Sequence, residues 1–157
     1  MRRFTGLLIA AIALVAASAA NADNSMGSAT TMKPVIVTPA TIKWMPGTGE
    51  LKGLMVAVLD GDPSKSGPFT MRIKTPGSVK LPVHYHDDTE RVTVISGMFM
   101  AAIGDKYDDS KLMELPPGSF VVIPGGVRHY AATKGETVVQ VSGNGPFAMK
   151  SDDKTGM

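Results

Sequence analysis

The 157 residues contain no cysteine, so disulfide cross-links are excluded. The fold must be held by an apolar core or by a bound metal. Histidine is nearly as scarce: there are three, and none stands outside two short segments. Without a spare histidine base, and without a G-x-S-x-G segment around Ser78 or Ser119, serine hydrolase chemistry has no machinery here. A Walker-type phosphate loop is missing, and no internal repeat is evident. The chain also lacks an apolar run of the ~20 residues that a spanning helix needs; residues 7–20 fall short of it.

An excess of positive charge is only apparent. The chain holds 16 Lys+Arg against 14 Asp+Glu, but Arg2 and Arg3 precede the apolar run of residues 7–20, and Ala20-Asn21-Ala22 offers an A-x-A cleavage site. That order of basic, apolar and small residues is a secretory signal. We expect a signal peptide over 1–22, export to the periplasm or beyond, and no stable membrane anchor after cleavage. With the two arginines gone, 14 basic residues face 14 acidic ones. No basic stripe remains to bind nucleic acid. Residues 23–33 are small and polar without periodicity, and they are expected to be a disordered leader.

What is present is punctuation. Eleven prolines and 17 glycines separate short, valine-rich or alternating segments. Residues 35–37 and 42–44 have strand character on either side of Pro39. Residues 54–59 form an apolar run that stops at Asp60-Gly61-Asp62-Pro63. Phe69, Met71 and Ile73 then alternate with Thr70, Arg72 and Lys74. Further strands are expected at 91–96, 98–103, 112–115 and 137–142, with a turn at Gly97. Many short strands and little helical periodicity predict an all-β sandwich or barrel. About 135 residues suffice for one such domain without staples. It is expected over 34–149, followed by a flexible charged tail over 150–157.

The chemistry concentrates in one stretch. His84 and His86 are one residue apart, so on a strand they share a face. A tight turn at Asp87-Asp88 brings Glu90 alongside them. Two imidazoles and a carboxylate form a donor set that a divalent transition metal accepts. The third histidine, His129, closes a second segment punctuated by Gly118, Pro124, Gly125 and Gly126.

Taken together, Gly77-x6-His84-x-His86-x3-Glu90-x6-Gly97 and Gly118-x5-Pro124-x-Gly126-x2-His129 resemble the paired motifs of the cupin superfamily. The resemblance spans roughly residues 46–147. The first motif has six residues before its first histidine where the family usually has five. Thr133 stands where the family often has asparagine. The resemblance implies a double-stranded β-helix, the jelly-roll barrel, with His84, His86, Glu90 and His129 as ligands of one divalent metal ion: Mn, Fe, Ni, Cu or Zn. It also implies a menu of dioxygenase, oxidase, decarboxylase, lyase or isomerase chemistry on a small oxygenated molecule. Redox chemistry is favoured by the likeness of this ligand set to that of redox-active cupins. A periplasmic binding or sensing protein without turnover is the alternative.

Four ligands around an octahedral ion leave about two positions open, whereas a tetrahedral zinc would be closed and structural. Glu90 is the candidate catalytic residue. Met98, Met100 and Gln140 are candidate pocket residues, the methionines by sharing a face and Gln140 as an amide in a valine-rich strand. By parity, Tyr85, Arg128 and Tyr130 point away from the metal. Trp44 is expected as a core or rim plug. Partners are a small-molecule ligand or substrate and, through strand addition at residues 35–37, a second copy in a homodimer.

Overall fold

The computed structural model describes residues 33–151. The expected signal over 1–22, the leader up to residue 32 and residues 152–157 of the expected tail lie outside the described residues. Eight strands follow in order: β1 (Met45–Pro46), β2 (Met55–Asp60), β3 (Gly67–Thr75), β4 (Lys80–His84), β5 (Glu90–Ile103), β6 (Met113–Leu115), β7 (Phe120–Ile123) and β8 (His129–Gly145). Two short 3-10 turns, Gly49–Leu51 and Asp109–Lys111, are the helical elements among the described residues. Every strand pairing is antiparallel, in the order β1-β2-β3-β8-β5-β6, with β4 added to β8 and β7 to β5. The result is the all-β barrel expected from the strand pattern.

Two long strands build both faces. One half of β8 pairs with β3 through Gly67↔Gly145 to Thr75↔Thr137. Its other half pairs with β4, ending at His84↔His129. Strand β5 lies beside both halves, from Arg91↔Ser142 to Ile103↔His129. Residues 90–103, expected as two strands around a turn at Gly97, are therefore one strand that bends there. At that bend Gly97 has φ +78°, and a Cβ on it would sit 2.3 Å from the Glu136 carbonyl oxygen. Only glycine allows two strands to cross a barrel corner so closely.

Threonines pin this corner. Thr75 Oγ1 accepts from the Thr137 amide at 3.1 Å, and Thr137 Oγ1 accepts from the Met98 amide at 3.2 Å. Thr133 Oγ1 accepts from the Val79 amide at 3.1 Å and donates to the Gly77 carbonyl at 3.0 Å. The residue that replaces the expected asparagine thus ties the approach to β4 onto β8. All three threonines are buried, and their hydroxyls are engaged in holding the backbone.

The core follows strand parity on either side of the corner. Phe69, Met71, Val92, Val94, Phe99, Ala131, Val139 and Val141 form one buried cluster. Register explains the pairs: Met71↔Val141 and Val92↔Val141 place three apolar side chains on the same inner face. Full burial of each such side chain contributes about 1.5–3 kcal/mol.

The N-terminal expectations are corrected. Residues 35–37 form no strand and stay exposed, and 42–44 are not a strand either. A turn intervenes, with the Thr41 amide on the Thr38 carbonyl at 2.9 Å and the Thr38 amide on Thr41 Oγ1 at 2.9 Å. Regular pairing begins only at β1. Trp44 is half-buried with the Lys74 ammonium over its ring at 4.8 Å, a rim position. Lys150, expected to open a flexible tail, pairs with Tyr85 through two backbone hydrogen bonds of 2.9 Å.

A comparison of two glycines tests the corner. Gly53 also has positive φ, but a Cβ there meets nothing within 4 Å. Gly53→Ala should lose about 1 kcal/mol from backbone strain alone, and Gly97→Ala clearly more, about 3 kcal/mol or above. Equal urea midpoints for the two variants would sink this account of the bend.

Candidate metal centre

The two histidine motifs meet because β4 and β8 are neighbours. His84 and His129 are cross-strand partners, so their side chains lie on the same face, with ring centroids 4.1 Å apart. His86 follows just past the end of β4, its ring edge-on to His84 at 5.3 Å. Glu90 opens β5, and its Oε2 lies 3.2 Å from His129 Nε2 and 3.8 Å from His86 Nε2. The second motif approaches the first closely at Gly125, where a Cβ would stand 2.3 Å from the Asp87 carbonyl oxygen. The Gly126 amide then donates to the His86 carbonyl at 2.8 Å.

All four side chains are buried. Each imidazole has its Nδ1 against a main-chain carbonyl: His84 on Pro82 at 2.8 Å, His86 on Ala148 at 2.8 Å and His129 on Val127 at 2.9 Å. A carbonyl only accepts, so Nδ1 carries the proton in each neutral ring. The Nε2 lone pairs are left for the interior. One ligand atom from each histidine lies within 4.8 Å of the others.

These residues fit a metal ion. His129 Nε2 is buried with no hydrogen-bond partner among the described residues; its 3.2 Å approach to Glu90 lacks hydrogen-bond alignment. A buried polar atom in that condition is costly, and a shared cation would satisfy it. Three imidazoles and a carboxylate suit a divalent transition metal. His84, His86 and His129 would hold the ion, with Glu90 beside it.

Electrostatics agree with that assignment for His84 and His86. Burial pushes the His84 imidazole down to about 4 and lowers His86 as well, because charging a desolvated ring is unfavourable. Both stay neutral and ligand-competent at neutral pH. Burial also opposes charge on His129, but Glu90 and the Val127 carbonyl outweigh it and raise its value.

The donor set lines a cavity of about 290 Å³. Its walls include Leu54, Met71, Val92, Phe99, Ile123 and Val141, and its charged lining residues are Glu50 and Glu90. The cavity extends to Thr75, Thr133 and Thr137. Among the described residues, no lysine or arginine lines it.

The candidate pocket residues are corrected. Met98, Met100 and Gln140 do not line the cavity; Phe99 and Ala101 do. The register changes between Val94↔Val139 and Ser96↔Val138, where two steps along β5 meet one along β8. This bulge inverts the parity carried forward from Val92 and Val94. Gln140 pairs with Arg72 across β3 and β8, its Oε1 accepting from Nε at 3.2 Å. The neighbours Val139 and Val141 take the inner face.

The flanking residues lie as parity requires. Tyr130 is fully buried on the opposite face from His129, its ring tilted against Tyr107 with centroids 4.7 Å apart, and it donates to the Asp108 carbonyl at 3.2 Å. The Arg128 guanidinium lies over the Tyr85 ring at 5.5 Å. Sequence reasoning missed Phe147 and Ala148, which reach the site from beyond β8. The signal was the repeated Gly-Pro-Phe: Gly67-Pro68-Phe69 and Gly145-Pro146-Phe147 are joined at Gly67↔Gly145. The two phenylalanine rings meet at 5.0 Å.

A cupin domain matches residues 71–142, a stretch that contains all three histidines and Glu90. No curated protein matches the chain. Among solved structures, it is similar to an RmlC-like cupin protein from Ralstonia eutropha, with 18% identity, TM-score 0.60 and coverage of 80% of this chain and 78% of that one. It is also similar to the polyketide cyclase RemF from Streptomyces resistomycificus, with 19% identity, TM-score 0.59 and coverage of 77% and 85%. A third neighbour is KdgF from a Halomonas species, with 16% identity, TM-score 0.52 and coverage of 68% and 91%. At these identities the likeness is one of fold. The fold is the cupin β-barrel.

The buried imidazoles predict a pH effect on the metal-free protein. Between pH 6.5 and about 4 the unfolded chain protonates His84 while the folded one does not. The unfolded state then binds more protons, so stability falls as pH drops through that window. His129 acts oppositely: its raised value adds stability at low pH that is lost as pH rises through it. His84→Asn should therefore flatten the acid-side loss, recovering roughly 2 kcal/mol of the difference between pH 7 and pH 5. Urea midpoints of the metal-free proteins at the two pH values check this, and an unchanged slope would refute it.

Proposed function

We propose that this chain is an exported, metal-dependent oxidoreductase acting on a small, largely apolar molecule with an oxygen-bearing head group. The observation that carries the reading is three imidazoles and a carboxylate converging in a cavity with largely apolar walls. A bound transition metal would supply electron transfer and Lewis acidity there, held by His84, His86 and His129. Glu90, buried beside His129, is placed to take up a proton from the head group and return it.

The rest of the cavity reads as a selector. Its volume is at the lower end of the ~300–1,000 Å³ typical of small-molecule sites. With glutamates as its charged residues and no cationic side chain, it has nothing to neutralise a phosphate or a second carboxylate. The threonine hydroxyls are committed to the barrel corner. A ligand therefore finds its main polar partners at the histidines and Glu90, with largely apolar walls around them that exclude competing water. Export rests on the signal-like residues 1–22.

Fold likeness to a polyketide cyclase shows that this architecture also hosts chemistry other than redox, so the reaction class must be tested directly. A second reading, a periplasmic binding or sensing protein, draws on Glu90 being the one proton-transfer group beside the imidazoles.

The decisive experiment measures metal content of the exported protein by elemental mass spectrometry, followed by substrate-dependent oxygen uptake. About one equivalent of Mn, Fe, Ni or Cu is expected, absent from a His84→Ala, His129→Ala variant. Apolar diketones and hydroxyketones should give uptake, reduced about 100-fold in Glu90→Gln. Full loading with ligand-induced stabilisation but no turnover would favour the binding protein instead.

A further inference from the structure

We propose that residues 146–150 form a strap that positions His86 as a metal ligand, so that the grip on the metal depends on docking of this strap. The proposal rests on reading the site as a metal centre and identifies what controls it.

The three histidines are not oriented in the same way. His84 and His129 direct Nδ1 to carbonyls two residues back in their own segments, Pro82 and Val127. Those acceptors arrive with the ligand itself. His86 instead uses the Ala148 carbonyl, 62 positions away in sequence. Its ring also stacks on Phe147, with centroids 4.0 Å apart and planes inclined by 14°. No local group takes over either role in the structure.

The strap grips both neighbours of His86 as well. Tyr85 and Lys150 exchange two backbone hydrogen bonds of 2.9 Å. The Lys150 ammonium meets both carboxylate oxygens of Asp87, at 2.8 and 2.6 Å. Both charged side chains are substantially exposed, so this ion pair is a weak latch. The firmer anchor is Phe147, whose amide donates to the Pro63 carbonyl at 2.7 Å and whose ring packs on Phe69.

Beyond Tyr85, residues 86–89 belong to no strand, so the barrel ladder does not fix the His86 ring. Undocking the strap removes its hydrogen-bond acceptor, its stacking partner and the bracing of both neighbours together. His84 and His129 keep theirs. Phe147, Ala148 and Met149 also wall the cavity, so the same movement opens the site. His86 is therefore the conditional ligand of the three, and the strap is its positioning element.

Cobalt(II) titration of the protein against a competing chelator, read by visible absorption, tests this. Phe147→Ala should weaken cobalt binding about tenfold, as loss of a ligand-orienting contact does, and should alter the ligand-field bands. Asp87→Ala should move affinity in the same direction by less. In a His86→Ala background, Phe147→Ala should change affinity by under about twofold, because residues acting through one another are not additive. Phe147→Leu keeps apolar bulk against Phe69 and should still lose severalfold, so the test survives if the alanine variant fails to fold. By linkage, cobalt should slow amide exchange at Tyr85 and Lys150 of the unaltered protein by about the same factor.

Equal losses in both backgrounds would overturn the proposal, as would an unaffected Phe147→Leu or unchanged exchange at Tyr85 and Lys150. Tight cobalt binding by the unaltered protein with unaffected variants removes the strap alone. No cobalt binding by the unaltered protein removes the metal-centre reading and the strap with it.

Discussion

A buried imidazole needs a partner for each ring nitrogen, or its burial is unfavourable. In this barrel the outer nitrogens of His84, His86 and His129 are each satisfied by a main-chain carbonyl. The inner nitrogens are left facing one another, and that of His129 has no hydrogen-bond partner. The unresolved inner half of this arrangement is what makes the site a place for a cation. The surrounding elements serve that condition: β4 and β8 bring two rings together, β5 delivers Glu90, and the segment beyond β8 supplies the third carbonyl.

Rigidity is distributed unevenly around the centre. The threonine corner is held through buried hydroxyl bonds, and Gly97 lets β5 and β8 cross it without a clash. The metal end is braced by a short segment with one aromatic anchor and one exposed ion pair. Among the described residues the cavity wall carries no lysine or arginine, and Glu50 and Glu90 are its charged groups beside the histidines.

Most of the strand pattern was legible in the sequence because proline, glycine and alternation are local signals. The run of Phe69, Met71 and Ile73 became β3, and residues 112–115 hold β6 at Met113–Leu115. Failures came where pairing overrides local preference. Residues 35–37 have strand character but no partner among the described residues. Residues 90–103 became one strand because β8 lies beside their whole length. Met98 and Met100 were misplaced by the register shifts on either side of Ser96, which no count of alternating residues reveals.

The sequence by itself determined the all-β class, the scarcity that singles out three histidines, and the spacing that puts His84 and His86 on one face. These depend on composition and on the fixed period of a strand. Tertiary structure alone decided that Phe99 and Ala101, not the methionines, line the cavity, and that Gln140 turns outward to Arg72. It also decided that His86 is held by Ala148 and Phe147. The physical reason is the same in each case: register and long-range contact are set by which strands meet, and a one-residue offset exchanges inside for outside.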